Sequence, residues 1–219
     1  MNNYRTKTDW VFETLKAAII SGQLPPGEWI RNGDWAERLG VSPIPVREAL
    51  RLLEAQGLVE IGAHKGARVT AQTEAHITET YLMRMALESL AARLAMQRIS
   101  DAQFSRLLRK VEDLTEDLEK CVAAGDSAGS RQVNFEIHMA IYAASEMPRL
   151  LAMIESLWAT YPFGSLTSPP EERKRMVQRH REYLDVLRER DPEKMALATE
   201  DHIRGAREGR IRDDAITHA

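Results

Sequence analysis

The sequence contains a single cysteine, Cys121, so no internal disulfide can form and no site can be built from several thiolates. Any metal must therefore sit on imidazole, carboxylate or amide ligands. No apolar run approaches the ~20 residues that a membrane-spanning helix needs. The opening MNNYRTKTDW carries charges and a Trp where a secretory apolar core would lie, which predicts no signal peptide and a cytoplasmic location. Charge of one sign is also lacking. The formal balance is −3, with nine Lys/Arg against eight Asp/Glu in residues 1–72 and 21 against 25 in residues 73–219. The strongly basic domain that would mark a nucleic-acid binder at a glance is absent, so any such function must rest on local placement. No HExxH, no Ser-His-Asp arrangement and no phosphate-cradling glycine loop is visible.

What is present is the composition of an ordered globular chain, 43% hydrophobic and 29% charged over 219 residues, which excludes disordered, collagen-like and membrane-embedded classes. The pattern predicts a helix over 8–21, with Val11, Leu15, Ala18 and Ile19 on one face and Gly22 as its stop. After the turn LPPGEW come a short helix over 34–39, stopped by Gly40, and a second helix opened by Ser42 and running through Ala55. Pro43 and Pro45 are tolerated there because the first N–H groups of a helix have no intrahelical partner. Val46, Ala49, Leu50 and Leu53 fall on one face and Arg47 with Arg51 on another. Two β-prone runs, 58–61 and 67–70, form a hairpin with its tip at His64-Lys65-Gly66. Helix, short helix, turn, helix, hairpin is the order of a winged helix-turn-helix. Past Gln72 the strand signal vanishes, and helices are expected over about 74–98, 101–123, 127–145, 149–161, 171–190 and 192–209. Their punctuation includes a Ser100-x-x-Gln103 capping box, Gly125-Asp126, Ser168-Pro-Pro and Asp191-Pro192. The expected fold is mainly α: a winged helix-turn-helix over 1–72, then an all-α antiparallel bundle over 73–219.

A recognition helix puts its N-terminal residues against base edges in the major groove. Arg47 lies in those first turns, placed for a bidentate contact to guanine or a phosphate fork. The alternative is an ordinary solvated cation paired with Glu48 or Glu54. His64 and Lys65 would lie over the DNA backbone or in the minor groove. The string PGEWIRNGDWAERLGVSPIPVREALRLLEAQGLVEIGAHKGARV resembles the N-terminal domain of GntR-family transcription regulators, most specifically through GVSPIPVREALRLLEAQGL. The resemblance implies binding of a double-stranded, pseudo-palindromic operator by a homodimer, with Ser42, Arg47, Arg51, His64, Lys65 and Gly66 at the matching positions. Pro43 and Ile44 stand where the family often carries Arg or Thr.

In the helical part, Asn134 and His138 are four residues apart and share a helix face. His180 and His202 lie on the last two helices among apolar neighbours. A bundle that turns these faces inward brings one amide oxygen and three imidazoles together, a donor set suited to a divalent transition metal. A lone core His is, on the other hand, more often a hydrogen-bonded structural residue. Arg84 interrupts a helix that is apolar nearly all round; such a helix is usually buried, so the cation must be paired, with Glu88 one turn on, or must face a polar cavity. Met83, Met85, Met139, Met153 and Met195 read as core filler, and Trp158, Tyr161 and Phe163 as bundle packing or the border of a pocket.

The segments YLMRMALESLAARLA, NFEIHMAIYAASEMPRL and RHREYLDVLRERDPEKMALATEDHI resemble the FCD effector domain of the FadR-like branch of the same family. That resemblance implies Asn134, His138, His180 and His202 as ligands of a divalent metal (Zn, Ni or Mn) and Arg84 as the partner of a small carboxylate effector. The expected function is a ligand-responsive transcriptional repressor. Two alternatives use the same residues: a metal-dependent enzyme built on the three histidines, and a metal sensor with no organic effector.

Overall fold

The computed structural model describes residues 6–20, 23–62, 66–70, 74–160 and 170–217. The chain divides into two compact units, Met1–Ile77 with Trp158–Pro162 and Thr78–Leu157 with Phe163–Ala219. In the first, α1 (Lys7–Ile20) turns Val11, Leu15 and Ala18 into the core. The chain continues through β1 (Trp29–Ile30), α2 (Asn32–Leu39), α3 (Pro43–Ala55), β2 (Val59–Gly62) and β3 (Gly66–Val69). Gly40 ends α2 in the left-handed region, at φ 64°, with its N–H returned to the Ala36 and Glu37 carbonyls. The predicted face of α3 is the buried one: Val46, Ala49, Leu50 and Leu53 join Val11, Leu15 and Ile30 in one core. β2 and β3 match the expected hairpin to within a residue, whereas β1 falls in what reads as a turn. β3 is the centre of the sheet, pairing antiparallel with β2 and, through Trp29 opposite Arg68 and Ile30 opposite Ala67, with β1. Gly66 is required there: its φ is 95°, and a Cβ would stand 2.2 Å from the Ile30 carbonyl oxygen. The hairpin tip residues His64 and Lys65 lie outside the described residues.

From residue 74 on, every element among the described residues is a helix: α4 (Glu74–Arg98), α5 (Asp101–Ala123), α6 (Ser127–Ala143), α7 (Pro148–Thr160), α8 (Pro170–Glu189) and α9 (Pro192–Thr217). The Ser100–Gln103 capping box forms in both directions. Asp126 caps α6 through the Gly129 N–H, and Asp191 Oδ1 accepts from Glu193 and Lys194 at the start of α9. α9 runs eight residues past the expected end at 209, because one glycine costs a helix only about 1 kcal/mol and no proline follows.

Paired contacts fix the helix directions. Glu112 with Arg188 and Glu119 with Arg181 make α5 and α8 antiparallel, and Tyr183 with Thr199 and His180 beside His202 do the same for α8 and α9. Arg93 with Glu193 and Arg207 with Thr78 set α4 antiparallel to α9. Leu118, Ile137, Ile141, Leu187 and Met195 are fully buried, and Trp158 is buried. Two methionines depart from the core-filler expectation: Met83 is 40% and Met153 57% exposed. Tyr161, Phe163 and the Ser168 boundary lie outside the described residues.

Candidate functional site

On the first unit, α3 presents an outward face of Ser42, Ile44, Arg47 and Arg51, all exposed. Ser42 sits at the N-cap with extended backbone, yet its hydroxyl makes no capping bond. The sequence explains this, since Pro43 and Pro45 carry no N–H and only Ile44 offers a donor within the first three helical positions. Both carboxylates that would neutralise Arg47 are engaged elsewhere: Glu48 accepts from Arg51 at 3.3 Å, and Glu54 accepts the Ile61 backbone N–H at 2.8 Å. The Arg47 side chain makes no ion pair or hydrogen bond among the described residues. A solvated, unpaired guanidinium on the outer face of a helix that follows a short helix and a turn is placed to meet a phosphate or a guanine edge.

In the second unit, α6, α8 and α9 bring the four polar residues together. One ring nitrogen from each of His138, His180 and His202 lies within 4.8 Å of the others. Asn134, one turn before His138, puts its Oδ1 2.7 Å from His180 Nε2. Hydrogen bonds on the far side of two rings set their tautomers. His180 Nδ1 lies 2.8 Å from the Met176 carbonyl, which only accepts, and with the proton held there the Nε2 lone pair faces the Asn134 Oδ1 lone pair at 2.7 Å, a repulsive pair of acceptors that a shared cation, or a turn of the amide to present its NH2, relieves. Tyr142 donates its hydroxyl to Glu88 Oε2 at 2.8 Å and so accepts, at 3.2 Å, from His138 Nδ1. His138 Nε2 is therefore bare as well. It faces His202 Nε2 at 3.2 Å, while His202 Nδ1 is sealed from solvent without a partner.

Burial is the main cause that holds all three imidazoles below their ordinary range, His180 down to about 4, with the neighbouring histidines and the Arg84 and Arg179 cations adding to it around the cluster. All three are neutral at pH 7. Neutral imidazoles with lone pairs turned inward, an amide oxygen beside them and an orphaned polar atom form a donor set that fits a divalent transition metal.

Arg84 is 4% exposed and Glu88 fully buried; Arg84 Nε donates to Glu88 Oε1 at 2.6 Å, as the sequence expects of a buried cation. Glu88 then links that pair through Tyr142 to His138, so Arg84 joins the periphery of the cluster. Two residues escaped the sequence reading. Tyr142 follows His138 by four positions and so shares its face, a spacing that carries the signal. Tyr183 follows His180 by three; its ring lies 5.4 Å from His138 and 5.0 Å from His202, and its hydroxyl engages Thr199 at 2.8 Å.

The FCD domain matches residues 79–205, more than half the chain, and the family described as bacterial regulatory proteins, gntR family, matches residues 7–69. The chain belongs to the GntR family. It is a DNA-binding transcriptional regulator with an FCD domain, and not an enzyme. The GntR match covers the winged helix-turn-helix, and the FCD match spans all four residues of the cluster. Among the relatives of this GntR regulator is a probable D-xylose utilization operon transcriptional repressor of Paenarthrobacter nicotinovorans, 30% identical over 90% of this chain and 86% of that protein. The transcriptional regulator McbR of Escherichia coli is 29% identical over 82% of this chain and 81% of its own length. The solved structure of E. coli McbR/YncC superimposes with a TM-score of 0.76 at 26% identity, covering 98% of each chain. No helix among the described residues is long and apolar enough to cross a membrane.

Proposed function

We propose that this GntR regulator is a cytoplasmic repressor that binds a pseudo-palindromic operator as a homodimer and releases it when its FCD domain takes up a small organic acid at a divalent metal. Ser42, Arg47 and Arg51 of α3, with His64, Lys65 and Gly66 of the wing, meet the DNA. Asn134, His138, His180 and His202 hold the metal, which supplies a Lewis-acidic anchor for a carboxylate. The observation that carries the sensing half is the pair of fixed tautomers: Met176 and the Glu88–Tyr142 relay each hold a proton on the outer nitrogen and leave a lone pair turned inward. Arg84 lies one link further out along that relay, where a carboxylate drawn to its guanidinium competes with Glu88. The repressor relative supports the direction of control.

The mechanism is linkage. An effector that binds the DNA-incompetent arrangement more tightly lowers operator affinity by the ratio of its two affinities. The protein's own residues supply that difference by changing which carboxylate Arg84 holds, and with it the Glu88–Tyr142–His138 relay. The test is operator-bound fraction measured against a panel of sugar acids, hydroxy acids and dicarboxylates, with Zn, Ni or Mn present or chelated. Release that needs both an acid and the metal supports the proposal. Release by metal alone favours the metal-sensor alternative, and no release by either contradicts both. Arg84→Lys keeps the charge against Glu88 and loses the fork, so it should weaken the acid response about tenfold while sparing effector-free operator binding.

A further inference from the structure

Ile44, the second residue of α3, is 61% exposed, more than any other bulky apolar side chain among the described residues. A single exposed apolar residue needs no explanation by itself; its place gives this one meaning. Arg47 follows it by three positions and Arg51 by seven, so the three share one helix face. That face is exposed, and it lies opposite the buried one of Val46, Ala49, Leu50 and Leu53. Ile44 therefore stands on the surface proposed to meet DNA.

The residues around it leave an apolar tip. Pro43 is exposed as well, and with prolines at 43 and 45 only Ile44 itself carries an N–H within the first three helical positions. A helix start short of those donors is a poor cradle for phosphate, so the tip has little but hydrocarbon to offer. It is also held rigid. The two pyrrolidine rings fix the backbone on either side of residue 44, and a β-branched side chain in a helix keeps essentially one χ1 rotamer. Little conformational entropy is then lost when Ile44 packs. Among the features that base pairs present in the major groove, every donor and acceptor would lose water against such a side chain. The 5-methyl group of thymine is the apolar one.

We infer that Ile44 is a specificity residue, packing on that methyl group and fixing one thymine in each half-site; the inference rests on the operator reading of the preceding section. The probe is a duplex selected from a random library by the full-length protein, then rebuilt with each thymine in turn replaced by deoxyuridine. That exchange removes the methyl group and leaves every hydrogen-bonding atom of the base in place. One symmetric pair of positions should lose affinity about three- to fivefold per half-site, the worth of one buried methyl. In Ile44→Ala the loss at that pair should vanish. Leu52→Ala, on the same helix two turns further on and 45% exposed in the parent, should keep the loss in full. An enriched duplex with no methyl-sensitive thymine, or with a loss as large in Ile44→Ala as in the parent, would overturn the inference and leave the operator reading standing. A library that yields no enriched duplex would overturn the operator reading, and the role of Ile44 with it.

Discussion

On α3, Arg47 stands exposed with both neighbouring carboxylates engaged elsewhere, and Arg51 holds Glu48 only at the surface. On α4, Arg84 is 4% exposed and locked to a fully buried Glu88. The same side chain serves two opposite designs. In the DNA-reading role proposed for it, Arg47 stays hydrated until phosphate or base replaces its water, whereas a cation buried as Arg84 is must be neutralised from within whatever it does.

The sharpest way to break this comparison is Glu88→Ala. It removes the buried carboxylate that Arg84 and Tyr142 share and should cost about 3–5 kcal/mol, read as earlier unfolding by urea titration; a variant as stable as the parent would show that the pair contributes nothing to the fold. The next effect is one of pH. The three imidazoles lie below the ordinary 6.5 when folded, His180 at about 4, so between those values the unfolded chain binds more protons than the folded one. Stability is thus fully present above pH 6.5 and falls as pH drops toward 4. Thermal midpoints of metal-free protein between pH 7.5 and 4.5 check the sign, and a flat profile contradicts it.

Arg47→Ala should cost about 1–3 kcal/mol of operator affinity if it reads a base, with no change in the unfolding midpoint; unaltered binding would remove it from the reading surface. The smallest effect belongs to Arg181→Ala. Its pairing with Glu119 at 2.6 Å looks as tight as that of Arg84 with Glu88, but solvent screens it. The midpoint should stay within experimental scatter, and a large drop would mean that exposure does not separate the two kinds of pair.

Much of this was legible in the sequence, for reasons that differ between the units. The winged unit is written locally: Gly40, Ser42 and the apolar spacing of α3 announce themselves within a few residues. β1 escaped because nothing in Trp29 and Ile30 themselves makes a strand; β3 imposes it by pairing from nearly forty residues away. In the helical unit, spacing put Asn134 and His138 on one face, and apolar neighbours with the family resemblance drew in His180 and His202, but none of these could supply the proton positions. Those depend on Met176, Tyr142 and Glu88, and Glu88 acts from a different helix.

The most direct measurement is metal content per chain, by elemental analysis after incubation with Zn, Ni or Mn and gel filtration, for the parent and for His180→Ala. The inward-facing nitrogens of His138 and His180, with His202 and Asn134 beside them, predict about one divalent ion per parent chain and its loss in His180→Ala while helical content persists. A parent that retains no metal, or a His180→Ala protein that keeps a full equivalent, would contradict the account of the site.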